Sequence, residues 1–318
     1  MFLKAKNFFI TFLIATVVFT GLAIVMIQFA TDALVPSNNG EANDDGPVIT
    51  LPNGNGGPGV ATDNTTFSFV LIGTDYQPNV FDDYRLPANN TELIRPRHVH
   101  AAGIVYVRMI RSTNTVLIVP IPPTTSVSVG GVQMPIAVAY NYMDAEFISS
   151  MVSYLVGLPV DFWASTNFAG FASIIDVLGG INFTVPRDMN YTCRESGFRT
   201  NLRSGNQRLS GNGAMQLLRY PNHANDTERM NLGVSFLQQV FAQSATVSNF
   251  GRVSALFNDL VRHVETNITL ADVVGNADLI FAYNRMTDTV IHMPGSFAAD
   301  GTFTRNAGES QRLFSPFR

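Results

Sequence analysis

The stretch "VDFWASTNFAGFASIIDVLGGINFTVP", residues 160–186, changes its character twice. It opens on "VDFWASTN", a short run with the aromatic content of a strand, passes into the helical segment "FAGFASIIDVLGG", and returns to a strand in "INFTVP". Working outward, "FSFVLIGT", "GIVYVRMI" and "TVLIVPI" are short apolar or alternating runs of the kind that build buried strands. Between them and the opening stretch lies "PIAVAYNYMDAEFISSMVSYLVG", long enough for a helix. Downstream, "SGNGAMQLLRY", "TERMNLGVSFLQQVFAQ", "VSALFNDLVRHV" and "LADVVGNADLIFA" read as helices, and "TVIHMP" as a late strand. Strands and helices interleave without an internal repeat. The expected fold is therefore α/β, a three-layer α/β/α sandwich whose central mixed sheet is covered on both faces, with Trp163 in its core.

With 318 residues, 46% of them hydrophobic, the chain can bury one large core. A formal charge of -4 provides no global field for nucleic acid, so any basic site must be local. The lone Cys193 supplies neither an internal disulfide nor a thiolate cluster. Near the start, Lys4 and Lys6 precede an uncharged run from Asn7 to Ala30. About 24 residues at 1.5 Å each make roughly 36 Å of helix, enough to cross the hydrocarbon of a membrane. Acidic residues (Asp32, Glu41, Asp44, Asp45) follow that run, so the positive-inside rule leaves residues 1–6 in the cytoplasm and the rest outside. The expected organisation is a cytoplasmic tip (1–6), a single transmembrane helix (7–30), a disordered linker rich in Asn, Gly and Pro (31–65), one extracytoplasmic domain (66–295) and a C-terminal tail (296–318).

Charge is scarce, at 14% of residues, yet "LLRYPNHANDTERMNLGVSF" at 217–236 gathers Arg219, His223, Asp226 and Arg229. Arg219 falls near the C-terminal end of a helical segment, where a cation suits the dipole and the unpaired carbonyls. Asp226 precedes a second helix, marked by Met230, Val234, Leu237 and Phe241, and is placed to cap it. Arg229 fits that local account poorly, because a cation in a first turn opposes the dipole unless an anion is near. An arginine beside free backbone N–H groups at a helix start makes a phosphate site. The sequence contains no Gly-x-Ser-x-Gly elbow, no His-Glu-x-x-His and no Gly-Lys-Ser phosphate loop.

The order of these elements resembles the LytR-CpsA-Psr family. "FSFVLIGTD" at 67–75 carries the likeness, with Asn167, Gly170, Phe171, Asp176, Gly179, Gly180 and Pro186 in the middle block, and then "LRSGNQRLSGNGAMQLLRY" at 202–220. The resemblance implies an exported domain that transfers a glycan polymer from a prenyl pyrophosphate carrier to peptidoglycan. It also implies an arginine-rich pocket, a divalent metal and an apolar tunnel for the prenyl chain. On that reading Asp75 is a metal ligand for Mg²⁺. Arg219, Asp226 and Arg229 are the catalytic set; Arg219 and Arg229 bind the pyrophosphate with His100, which takes an arginine's place, and Arg97 of the adjacent loop is a further candidate to bind it.

The departures from the pattern are as informative. Where the family reads Arg-Ser-Asp-Thr, this chain has "HAAG", which puts His100 for the arginine and Ala102 for the second metal aspartate. "IPPT" replaces Ile-Pro-Arg-Asp, giving Pro123 and Thr124. Pro221 stands for the second arginine of an Arg-x-Arg pair, and Leu232 and Gly233 for later polar positions. Two function classes follow from this balance: a membrane-anchored phosphotransferase, or a catalytically impaired domain that binds prenyl phosphate or wall glycan or scaffolds partners. "RPRHVH" at 95–100 and the acids of "FDDYR", Asp82 and Asp83, are the segments that could restore lost groups.

Overall fold

The computed structural model describes residues 65–76, 99–194, 197–223, 226–245 and 253–318. The expected cytoplasmic tip, membrane helix and linker, together with Asp82, Asp83, Arg85, Arg95, Arg97 and His98, lie outside the described residues. Among those described, no helix is long and apolar enough to cross a membrane.

The centre of the fold is a six-stranded mixed sheet. Strand β1 (Thr66–Tyr76) pairs antiparallel with β2 (Val99–Ile110), which pairs antiparallel with β3 (Thr115–Ile121); a separate two-stranded hairpin of β4 (Ser126–Val129) and β5 (Val132–Pro135) follows in the chain. On the other side β1 runs parallel to β6 (Phe162–Asn167), and short strands close both edges, β11 (Glu265–Thr266) beside β6 and β12 (Thr287–Val290) beside β3. Side chains alternate across a strand, and β1 sorts its own in that way. Val70 and Ile72 enter one buried cluster, while Phe67 and Phe69 enter another on the opposite face. Helices cover both faces, as the interleaved sequence pattern requires.

The first face is packed by α1 (Ile136–Tyr142), α2 (Ala145–Val156) and a helix near the end of the chain, Ala307–Phe314. The segment "PIAVAYNYMDAEFISSMVSYLVG", expected as one helix, breaks in two. Met143 turns extended, and Asp144 caps the second helix by accepting the Phe147 N–H at 2.8 Å. "LADVVGNADLIFA" is likewise divided into Leu270–Gly275 and Ala277–Ile280, with a buried Asn276 at the junction. Residues 296–318, expected as a tail, fold back onto the first face. Phe303 and Phe314 are 3% and 1% exposed within its cluster, and Arg108 Nε donates to the Phe317 carbonyl at 3.0 Å.

Beyond β6 the chain forms α3 (Phe168–Val177), then strand β7 (Ile181–Val185). β7 leaves the central sheet and pairs with β10 (Gly205–Leu209). Between them a second hairpin is built from β8 (Met189–Thr192) and β9 (Arg199–Leu202). The glycine-studded run of 205–211 leads into helix α4 (Gly211–Leu218), which packs directly on α3. A Cβ on Gly211 would lie 2.1 Å from the Ala172 carbonyl oxygen, so only glycine permits that approach. Asp176 Oδ1 accepts the Gly211 N–H at 2.8 Å and ties the two helices at the same place. Helix α5 (Asp226–Ser244) then crosses the second face of the sheet.

Candidate functional site

The second face of the sheet is incompletely filled. Phe67, Phe69 and Leu71 of β1 and Val107 and Met109 of β2 form the floor of an apolar cavity of about 280 Å³. Its roof is Phe241 of α5 and Ala245 just after it, Leu256, Phe257 and Leu260 of the helix Val253–Leu260, and Ile280, Phe281 and Tyr283. A second hollow of about 320 Å³, bordered by Gly180, Arg208 and Gln243, shares Leu178 and Ser244 with it.

Period two carries the floor onward. After Leu71 the residues of β1 on the same face are Gly73 and Asp75, paired across the sheet with Gly103 and His100. The pairing shifts between Gly73 and Thr74, so that exposed Ala102 is the extra residue of a bulge. At the two glycines the floor has no side chains. A Cβ on Gly103 would meet nothing within 4 Å, and one on Gly73 would find only the Gly103 backbone, at 3.8 Å. On α5 a Cβ at Gly233 also meets open space. Beyond Leu71, the last β1 residue lining the cavity, the same face of the sheet carries no side chain at Gly73 and Gly103 before it reaches Asp75 and His100, about 13 Å from Leu71 at a strand's rise per residue.

His100 is 8% exposed, and burial lowers its pKa to about 4 against the opposing pull of Asp75. At neutral pH the imidazole is uncharged and offers hydrogen bonding without a positive charge. Asp75 and His100 face each other directly as cross-strand partners. Among the described residues no three His, Cys, Asp or Glu side chains form a metal-holding group. Among the described residues Asp75 therefore has no protein cage, and a magnesium ion held by it would need phosphate oxygens and water for most of its other ligands.

Arg219 arrives at the same end of the sheet by a different route. Thr74 pairs with Asn167, the last residue of β6, and Asn167 caps α3 by accepting the Gly170 N–H at 2.8 Å. Phe168 follows at once, and the Arg219 guanidinium lies 4.8 Å from its ring centroid. A second ring, Phe198 from the β8–β9 hairpin, lies 4.7 Å from the same guanidinium. Arg219 itself is the C-cap of α4, its N–H bonded to the Met215 carbonyl at 3.0 Å, as its place in the sequence predicts.

Asp226 opens α5, one residue later than a cap, and its side chain lies outside the described residues. Arg229 is exposed in the first turn of that helix. Twelve residues separate it from Phe241 in the cavity roof, about 18 Å along the axis. Its positive charge helps lower the pKa of His223, whose main perturbation is burial and whose chief opposing influence is Glu228. The His223 side chain is 4% exposed, sits edge-on to Tyr220, and has Nδ1 4.0 Å from Glu228 Oε2. Glu228 also pairs with Arg187, which donates to the Asn222 carbonyl at 3.2 Å. Of these, His223 was singled out in the sequence only as part of a charged stretch, and Arg187, Glu228, Phe168 and Phe198 were not picked out as site residues. Arg187, Phe198 and His223 sit in connecting segments and Phe168 and Glu228 in the first turns of α3 and α5, and contacts among such distant positions leave no periodic signal.

The chain belongs to the LytR_cpsA_psr family, whose model matches residues 33–306. The polyisoprenyl-teichoic acid–peptidoglycan teichoic acid transferase TagU of Bacillus licheniformis is 24% identical over 188 residues, covering 54% of this chain and 56% of TagU. The chain spans only 30% to 56% of the length of such curated relatives. The crystal structure of TagV from Bacillus subtilis superposes with a TM-score of 0.63 at 17% identity, over 80% of this chain and 96% of TagV. The structure of TagT bound to LI-WTA gives 0.61 at 19% identity, over 79% of this chain and 89% of TagT. These likenesses show the mixed α/β fold with its central mixed sheet, and several relatives in the family are teichoic acid transferases.

Proposed function

We propose that this protein is a membrane-anchored cell-envelope phosphotransferase that moves a glycopolymer from a polyprenyl pyrophosphate carrier to peptidoglycan outside the cell. The observation that carries the reading is the apolar cavity on the same sheet face as Gly73 and Gly103, which carry no side chains between it and the end of the sheet where Asp75, His100 and Arg219 lie. An apolar chain with an anionic head matches that sequence of surfaces. The chain would lie against Phe67, Phe69 and Leu71, and its diphosphate would meet Arg219, with Arg229 on the rim and neutral His100 as a hydrogen-bonding neighbour. Arg97, outside the described residues, is a further candidate for that pocket. The apolar run 7–30 anchors the chain, with residues 1–6 in the cytoplasm.

In the reaction a sugar hydroxyl of the wall attacks the phosphorus that bears the glycan. A new P–O bond forms, the bond to the bridging oxygen breaks, and prenyl phosphate leaves and takes up the hydroxyl proton. Such transfers require positioning and neutralisation of charge more than covalent chemistry, which is the work assigned to Arg219 and Arg229. Mg²⁺ would enter with the diphosphate, Asp75 serving as a protein ligand. No step here depends on the metal, because the described residues do not form a cage for it.

The site also supports a second reading. His100 is uncharged at neutral pH and Ala102 stands where the resemblance implies a carboxylate, so the anion is held by fewer charges. A domain that binds prenyl phosphate or wall glycan without turnover fits that deficit. The full chain, incubated with a prenyl pyrophosphate and Mg²⁺, decides between them. Release of phosphate that disappears in Arg219→Ala supports transfer, whereas lipid binding with no release at any metal concentration supports the binding module.

A further inference from the structure

We propose that Phe198 is a positioning residue for Arg219, and that the β8–β9 hairpin exists at this site to press its ring onto that guanidinium. This inference rests on the reading of Arg219 as the group that meets an anionic phosphate.

An arginine at a helix end has a long, freely rotating side chain, and ordering it costs up to about 2 kcal/mol of rotamer entropy. Arg219 meets two rings, at 4.8 Å and 4.7 Å from their centroids, both well inside the range of a cation–π contact. A guanidinium held by ring faces keeps its N–H donors in its own plane, and the planar fork is what recognises a phosphate through two parallel bonds. Phe168 is part of the rigid junction of β6 and α3, so its ring is in place already. Phe198 comes from a hairpin and has to be brought in.

The hairpin is fastened for that purpose. Met189 and Leu202, on its two strands, are 0% and 6% exposed and anchor it in a core cluster. The Asn201 N–H donates to Gln216 Oε1 at 2.9 Å, and the Thr200 hydroxyl donates to the Gln216 carbonyl at 3.4 Å. Gln216 precedes Arg219 by three positions on the same helix, so hairpin and arginine share one short rigid element. At the far end the Cys193 N–H donates to the Phe198 carbonyl at 2.8 Å and fixes the backbone that carries the ring. The family resemblance marks Arg219 but not Phe198, whose role emerges only from this packing.

Two measurements on the full chain in detergent test the proposal. In protein labelled with ¹⁵N-arginine, the Arg219 Nε–H proton, assigned by its loss in Arg219→Lys, should lie upfield of the other arginines and move back in Phe198→Leu. Calorimetry with farnesyl pyrophosphate as probe should show Phe198→Leu weakened about 2- to 30-fold, the range of one cation–π contact. Phe198→Trp, which restores the ring, should bind within about threefold of the native chain. An unmoved resonance together with unaltered binding in Phe198→Leu overturns the proposal. Should the native chain bind no farnesyl pyrophosphate, the reading of the site as a diphosphate pocket fails. The Arg219 resonance would still decide whether Phe198 positions it.

Discussion

The two faces of the central sheet are made from the same three strands and are finished differently. On one face Val70, Ile72, Ile104, Tyr106, Leu117 and Val119 are each 2% exposed or less, and α1, α2 and the C-terminal helix close over them. On the other, Phe67, Phe69, Val107 and Met109 are also buried, but α5 and its neighbours stand off and leave about 280 Å³ between. Interiors normally pack like organic crystals, with few voids larger than a water molecule. A gap of this size, on the face that carries Gly73 and Gly103 between Leu71 and the polar end, marks where stability has been exchanged for room. The dry face holds the fold together, and the loose face is free to take an apolar guest.

The sharpest way to break that division of labour is to remove its charged terminus. Arg219→Ala should lower phosphate release from a prenyl pyrophosphate by about 10³-fold or more, the loss of one well-placed arginine in phosphoryl transfer. Its urea midpoint should stay close to that of the native chain, because Arg219 is a half-buried helix cap outside the packed face. If activity survives the change, the polar end lies elsewhere. The packed face is probed next. Leu117→Ala, at a residue with 0% exposure, should cost about 2–5 kcal/mol in urea unfolding. The same truncation at Leu71, in the cavity wall, should cost about 1 kcal/mol because fewer contacts are lost. Equal losses at the two positions would mean that the gap closes in solution.

Much of this arrangement was legible in advance, for reasons that can be assigned residue by residue. β1, β2 and β3 announce themselves because a strand buried on both faces must be apolar almost throughout. The place of Arg219 at a helix end was legible from local pattern alone, whereas Asp75 was singled out only through the family resemblance. The break at Asp144 was written in its own residue type, a preferred N-cap followed by Glu146, but the apolar run on either side concealed it. β7 was recognised as a strand, yet its pairing with β10 was not, although Asn182 and Thr184 alternate with Ile181, Phe183 and Val185 as one-sided burial demands. What sequence could not supply was whatever depends on distant groups meeting. The neutrality of His100 follows from burial, the grip on Arg219 from a hairpin, and the His223 environment from Arg187 and Glu228.

Burial at the polar end makes the comparison sensitive to pH. The unfolded chain protonates His100 near pH 6.5, while the folded chain resists until about pH 4. Between those values the unfolded state binds more protons, so the stability linked to neutral His100 is complete above about pH 6.5 and is lost progressively on acidification. His100→Asn should abolish that slope, about 1–3 kcal/mol across the window, when compared with the native chain in urea titrations at each pH. Asp75, directly opposite, works against the depression, so Asp75→Asn should steepen the slope. A native chain whose stability between pH 4 and 6.5 matches that of His100→Asn would show that water reaches the polar end freely.

The smallest effect is the most discriminating, because it should move the two faces' properties in opposite directions. Gly103 has space for a side chain, with nothing within 4 Å of an added Cβ, and its place in β2 suits a β-branched residue. Gly103→Val should therefore leave the urea midpoint unchanged or raise it slightly. The same two methyl groups would project from the floor between Leu71 and Asp75, where the proposed chain joins its head. Binding of farnesyl pyrophosphate should weaken about tenfold, equivalent to roughly 1.4 kcal/mol. Inorganic pyrophosphate, which needs only the polar end, should bind as before. A valine that stabilises the fold and spares the lipid would mean that the opening beside Gly103 is not the passage. A valine that weakens both ligands equally would place the diphosphate itself on that floor, and the head would then sit one step deeper in the sheet than Asp75.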